Sequence, residues 1–250
     1  MQYGICQLSV VSVRATADDT SEMVTQLLYG EHFKILEHRK FWFKIRIAFD
    51  NCEGWVRNQQ VTKIDEASYS SIEKTKKSRF SADLISYVET NSSVLIPIVL
   101  GSTVQNVGEL SHRFEGSFSE GIRNKANLVQ TALHYLNAPF LKGGKTPLGI
   151  DASAFTQMAY KINGYKLLRK ASEQASQGEA LSFIEESESG DLAFFDNSDG
   201  EIYHVGIMME NNYIVHVDEK VRIDRLDHTG IFNTELGSYT YNLRVIKKII

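Results

Sequence analysis

Cysteine is scarce: Cys6 and Cys52 are the only two in 250 residues, and both lie in the first quarter of the chain. A secreted disulfide framework needs more, so two thiols fit a reducing compartment. Excess positive charge is also lacking. With 27 Lys and Arg against 31 Asp and Glu the formal net charge is -4, which argues against the basic face that nucleic-acid binding requires. No apolar run reaches membrane-spanning length, and Met1-Gln2-Tyr3-Gly4-Ile5-Cys6 has neither the charged start nor the apolar centre of an export signal. The expectation is a cytoplasmic protein with no membrane and no nucleic-acid partner.

What is present is ordinary globular composition, 42% hydrophobic and 23% charged, over a length sufficient for two or three domains. Residues 5–64 read as short strands broken by turn signals, with strands over 5–13, 23–28, 32–37, 41–49, 54–56 and 61–64. In 41–49, Phe41, Phe43, Ile45, Ile47 and Phe49 alternate with Trp42, Lys44, Arg46 and Ala48, the period of a half-buried strand, and a small β-barrel is expected. Residues 65–79 are polar and read as a solvated connector. The apolar runs 80–88 and 94–100 then suggest a second small β unit. Ile122, Ala126, Val129, Leu133 and Leu136 recur at helical spacing from Ser119 onward, so a helix is expected up to Asn137-Ala138-Pro139.

The chain is organised around Gly143-Gly144-Lys145-Thr146-Pro147-Leu148-Gly149-Ile150-Asp151-Ala152-Ser153-Ala154-Phe155, a glycine-rich loop running into a helix. Asp151 is a good N-cap, Phe155, Met158, Ala159 and Ile162 share a face, and Asn163-Gly164 supplies a left-handed stop. Residue 152 is then the first helical position, among unpaired amides at the positive end of the helix dipole. That environment suits a nucleophilic thiolate, yet the residue is alanine. Ser153 is a poor substitute, because one helical step turns its side chain about 100° away. Downstream, His204 and His216 lie on the strand-like runs 202–209 and 213–218. A three-residue loop, Glu210-Asn211-Asn212, would pair Gly206 with His216 and His204 with Asp218, putting both imidazoles on one face; a two-residue loop would separate them.

The order of loop, helix start and two strand histidines resembles the NlpC/P60 cysteine peptidases, where the segment usually reads Gly-x-Asp-Cys-Ser-Gly-Phe. Gly190-Asp191-Leu192-Ala193-Phe194-Phe195 is similar to another of their strands. The resemblance favours the three-residue loop. It implies that Ala152 holds the nucleophile's position, His204 the general base's and His216 the orienting group's. It also implies substrate contacts from Asp151, Ser153, Ser172, Tyr135, Cys52 and Lys142. Met23 to Leu28 with Gly30-Glu31, Trp42-x-Lys44-Ile45 and Glu53-Gly54-Trp55-Val56 resemble a bacterial SH3 (SH3b) domain. Four residues depart from the family pattern: Cys52 stands where an aromatic commonly precedes Glu-Gly-Trp, Lys142 replaces a tryptophan, Ala154 a glycine, and Lys170 stands where Arg-Asp is common after the helix. Taken alone, Cys52 reads as a small hydrophobe packed in a strand.

The resulting expectation is an α+β chain: an SH3b domain over 1–64, a connector with a second SH3b-like unit over 65–118, and over 119–250 a papain-like NlpC/P60 domain with an antiparallel sheet. No cofactor is called for, and His204, His216 and His228 lack a dedicated zinc spacing, so no metal is expected. The implied ligand is a peptidoglycan stem peptide, L-Ala-γ-D-Glu-diamino acid. Three functions fit: an inactive muropeptide binder or regulator of an active relative, a Cys-to-Ala form of a γ-D-glutamyl-L-diamino acid endopeptidase of cell-wall recycling, or an interaction module that binds no muropeptide. Any protein partner is unspecified.

Overall fold

A computed structural model of the chain describes residues 2–75 and 77–250. Packing divides it into two compact units, Met1–Ile122 with Lys142–Pro147, and Arg123–Leu141 with Leu148–Ile250. Residues 65–118 therefore pack in the same unit as the first 64. Among the described residues no helix is long and apolar enough to cross a membrane.

The first unit opens with seven antiparallel strands, β1 (Gln2–Ile5), β2 (Val10–Arg14), β3 (Met23–Leu28), β4 (His32–His38), β5 (Trp42–Ile47), β6 (Glu53–Arg57) and β7 (Thr62–Ile64), ordered β3-β2-β6-β5-β4-β1-β7. The alternation read in 41–49 is realised, since Phe43, Ile45 and Ile47 point into a core with Cys6, Val11, Val13, Leu27, Phe33 and Val56. Phe41 falls outside β5 and is exposed. The single strand expected over 5–13 is broken in two, because the chain turns at residues 6–9 and the Gly30 amide bonds back to the Cys6 carbonyl at 2.9 Å. Burial pushes the Cys6 thiol up to about 12, so it behaves as a small hydrophobe.

The supposed connector is in part a helix, α1 (Glu66–Glu73), capped by Asp65, which accepts from the Ser68 amide, and anchored by buried Tyr69 and Ile72. Five short strands follow, β8 (Arg79–Ser81), β9 (Ile85–Glu89), β10 (Leu95–Val99), β11 (Arg113–Phe114) and β12 (Phe118–Glu120), in a three-stranded sheet β10-β9-β11 and a two-stranded sheet β12-β8. The helix expected from Ser119 is much shorter, α2 (Asn127–Leu133). Residues 118–120 are spent on β12, Gly121 turns at φ +64°, Ile122 is exposed, and the Asn124 side chain accepts from the Ala126 amide just ahead of the helix.

In the second unit α3 (Ala152–Ile162) is buried along nearly its whole length, and α4 (Ala171–Gln174) is a single short turn. Six strands, β16 (Leu192–Asp196), β17 (Ile202–Met208), β18 (Tyr213–Asp218), β19 (Lys220–Leu226), β20 (Gly230–Asn233) and β21 (Ser238–Lys248), pair in sequence. Of the short strands that precede them, β13 (Lys145–Thr146) lies in the first unit, while β14 (Gly149–Ile150) and β15 (Glu179–Leu181) lie in the second, where β15 pairs with β21. The expected antiparallel sheet is closed into a barrel, because eleven-residue β21 bends at two bulges and pairs with β20 in its first half and with β16 in its second. Gly230 permits that closure: a Cβ there would lie 1.9 Å from the Tyr241 carbonyl oxygen. Ala193, Phe195, Met208, Ile214, Leu226, Ile231 and Ile246 pack together as the core on one face of this sheet.

A buried ion pair fixes the glycine-rich loop in the first unit. Lys145 Nζ lies 3.0 and 3.2 Å from the Glu31 carboxylate oxygens, with both side chains almost fully buried. The Lys145 amide donates to Gln26 Oε1 at 2.8 Å, and the Leu28 amide to Glu31 Oε2 at 2.9 Å. Removing one partner strands a buried charge. Lys145→Ala is therefore expected to cost this unit about 3–5 kcal/mol in urea unfolding, with the double change Lys145→Met/Glu31→Leu costing less than either single change; equal or larger loss in the double would contradict the account.

Candidate active site

The head of α3 is built as its sequence dictates. Asp151 Oδ1 accepts from the Ala154 amide at 2.8 Å, satisfying one orphan donor of the first turn, and the helix stops at Asn163 before Gly164 at φ +85°. Ala152 is the first helical residue and is 9% exposed. Backbone hydrogen bonds tie this point to the barrel: Ile150 bonds to Pro139 and Leu141, Phe140 to Glu219, and Asn137 and Ala138 to Val221. α3 itself packs against β17 and β18.

Those two strands carry the histidines. The hairpin between them turns through Glu210–Asn212 with Asn211 and Asn212 left-handed, and its register sets Gly206 opposite His216, as the three-residue loop requires. Gly206 makes room for that neighbour, since a Cβ there would meet Ile214 Cδ1 at 2.7 Å and His216 Cβ at 2.9 Å. His204 Nε2 and His216 Nδ1 are 3.0 Å apart, and His216 Nε2 is 3.0 Å from Asp224 Oδ2. Arg222 closes the line, donating from Nε to Asp224 Oδ2 at 2.6 Å and from Nη2 to Asp224 Oδ1 at 3.1 Å. His204 thus spends one ring nitrogen on His216 and keeps Nδ1 for another partner. The Tyr241 ring stacks on it with centroids 3.9 Å apart.

Burial of His204, reinforced by His216, holds its pKa well below the usual imidazole value, so the ring is neutral near pH 7. For Asp224 burial pushes upward, but the hydrogen bonds from His216 and Arg222 outweigh it, and the carboxyl stays below its ordinary value. A neutral, buried imidazole oriented through a second imidazole by an ionised carboxylate is the arrangement a general base requires.

The remaining sequence-picked residues are distributed differently. Asp151 is neutralised by Arg169, whose Nη1 and Nη2 lie 3.0 and 2.6 Å from its oxygens. Ser153 donates to Asp151 at 3.1 Å and accepts from Arg169 at 2.9 Å, so its hydroxyl serves the loop rather than a reaction. Gln174 on α4 donates to the Ser153 carbonyl at 2.8 Å and accepts from Thr156 at 2.8 Å, locking the same corner. Tyr135 is fully buried, edge-on to Phe155 with centroids 6.0 Å apart, rather than open to a ligand. Ser172 is exposed on α4, and Ala154 is buried without remainder. Cys52 and Lys142 belong to the first unit, where Cys52 packs on the strand core and exposed Lys142 pairs with Glu22 at 2.8 Å. His228 is exposed in the turn before β20, and among the described residues no group of His, Cys, Asp and Glu is arranged to hold a metal. Sequence reasoning missed Asp224, Arg222, Arg169 and Tyr241.

The NlpC/P60 family profile matches residues 137–238, and the bacterial dipeptidyl-peptidase Sh3 domain matches residues 13–61. Dipeptidyl-peptidase 6 of Lysinibacillus sphaericus is 28% identical over 253 residues, covering 87% of this chain and 89% of that protein. A gamma-D-glutamyl-L-lysine dipeptidyl-peptidase of Bacillus subtilis (strain 168) is 24% identical over 211 residues, 77% of this chain and 71% of the relative. The crystal structure of an NlpC/P60 family protein from Bacillus cereus superposes with a TM-score of 0.82 at 14% identity, covering 99% of both chains.

The neutral state of His204 carries a stability signature. Its folded pKa is depressed while an unfolded histidine titrates near 6.5, so below about pH 6.5 the unfolded chain takes up a proton that the folded chain refuses. His204's contribution is therefore complete above that pH and is lost as pH falls toward the folded value. Stability to unfolding measured from pH 7.5 to 5.5 is expected to fall with acid, and His204→Gln is expected to flatten the slope; an unchanged slope would contradict it.

Proposed function

We infer the function from the premise that the chain belongs to the NlpC/P60 family of peptidoglycan hydrolases and carries a bacterial SH3 domain ahead of that domain: it binds peptidoglycan stem peptides without cutting them. One observation carries this reading. The acid/base line His204–His216–Asp224–Arg222 is assembled in full, while the first residue of α3 offers a methyl group instead of an attacking atom. In a cysteine-bearing site of this build, the helix amides and dipole would lower the thiol pKa. His204 would take the thiol proton through Nδ1, His216 would orient His204, and the residue 152 amide would help hold the oxyanion. With Ala152 no acyl-enzyme can form. The rate left to positioning alone is lower by something on the order of a million-fold.

The name of one relative, a gamma-D-glutamyl-L-lysine dipeptidyl-peptidase, supports the proposed ligand class, a γ-D-glutamyl-L-diamino acid peptide. Such a protein holds muropeptides or regulates a cleaving relative. The second reading, a Cys-to-Ala form of an active peptidase, is favoured by the same intact line, although the departures at Cys52, Lys142, Ala154 and Lys170 weigh toward the first. An interaction module without affinity for muropeptides is the remaining alternative.

Incubation with L-Ala-γ-D-Glu-L-Lys and with its diaminopimelate counterpart is expected to release no dipeptide, and calorimetry to give saturable heat with at least one. Turnover by the purified chain, or no heat with either peptide, would overturn the proposal. Ala152→Cys then separates the two favoured readings. Ready cleavage supports the Cys-to-Ala form, and retained binding without cleavage supports a pocket remodelled for holding.

A further inference from the structure

The polar line inside the second unit is longer than two histidines require, and its far end is charged. Asp224 is almost fully buried, accepts from both Nε and Nη2 of Arg222, and shares its Oδ2 with His216 Nε2 at 3.0 Å. Arg222 is tied down in turn by Asn233 Oδ1 at 3.2 Å and by exposed Glu235 at 3.1 Å.

We propose that Asp224, with its charge compensated by Arg222, is the positioning residue of the site: it fixes one proton on Nε2 of His216 and one on Nε2 of His204. The Nδ1 lone pair of His204 is thereby the site's outward acceptor. This rests on the reading of His204 as the base. An ionised carboxylate can only accept, so the hydrogen between it and His216 sits on His216 Nε2. Arg222 neutralises that carboxylate, so little negative charge remains to draw a second proton onto fully buried His216, whose Nδ1 is left as an acceptor. The 3.0 Å contact then demands a donor from His204, which is Nε2–H. The other groups facing His204 bring no counter-charge: Phe195, Tyr203 and the stacked Tyr241, whose hydroxyl is spent on Asp218 at 3.1 Å. Arg222 therefore makes Asp224 an orienting group instead of a proton trap. A ligand held at His204 must present a donor, such as a peptide N–H, and not a carboxylate.

The test is 15N NMR of histidine-labelled protein at pH 7.5, which distinguishes the two ring tautomers and the imidazolium. The unaltered chain is expected to show both His204 and His216 protonated on Nε2 and bare at Nδ1. Asp224→Ala leaves His216 Nε2 facing a guanidinium that can only donate, so the Nδ1–H form is expected to appear at both rings. Arg222→Leu is expected to give His216 its second proton. Should Asp224→Ala fail to fold, the unaltered chain and Arg222→Leu decide the matter. A proton on His204 Nδ1 in the unaltered chain, or no change at either ring in both variants, would overturn the proposal. In an Ala152→Cys background, Asp224→Ala is expected to lower kcat about a hundred-fold with KM little changed. An Ala152→Cys protein that cleaves nothing counts against the functional reading, while the spectra still judge the positioning role.

Discussion

The second unit depends on keeping a charged carboxylate and two imidazoles inside a closed barrel. Such groups are costly to bury unless each is paired, and here each is: Arg222 on Asp224, Asp224 on His216, His216 on His204, with Tyr241 stacked against the last. The line forces the strand register, because a one-residue slip of β17 against β18 would throw the histidines to opposite faces. It forces glycine at 206, where any side chain would collide with His216. The barrel serves the line as much as the line serves the barrel.

The same logic governs the head of α3. Asp151 caps the helix and would leave an uncompensated charge but for Arg169, which also engages Ser153, while Gln174 ties α4 to the same turn. This degree of order surrounds a residue whose own side chain is one methyl group. Under the proposed function this is the position that a nucleophile would occupy in a cleaving relative.

Much of this was legible in the sequence where the deciding interactions are local. The Asp151 cap and the Gly164 stop follow from residues within a few positions of one another, the alternation in β5 from a period-two pattern, and the Gly206–His216 register from the three-residue loop that the resemblance favoured. Resemblance supplied the roles of the two histidines, which as lone strand residues carry little signal. The misses are non-local or marginal. Asp224 and Arg222 look like any charged pair on an exposed strand until barrel closure turns one of them inward, and Arg169 lies 18 residues from the carboxylate it neutralises. A helix does form in the second half of 119–136, but it buries Leu128, Thr131 and Ala132, while Leu133 and Leu136 of the expected face are exposed; Gly121 and the pairing of β12 with β8 claimed the first half. α1 was overlooked because just two of its side chains, Tyr69 and Ile72, are buried.

The central claim of the proposal is that a thiol placed at residue 152, the first residue of α3, would meet His204 as its base. It is tested most directly by the thiol titration of Ala152→Cys, read as the difference in thiolate absorbance from the unaltered chain, which carries Cys52 and a Cys6 that burial pushes up to about 12. The account predicts a thiol that ionises below about 7.5 and moves upward when His204→Gln is added. A thiol that titrates near 8.5 or above, indifferent to His204, would contradict it.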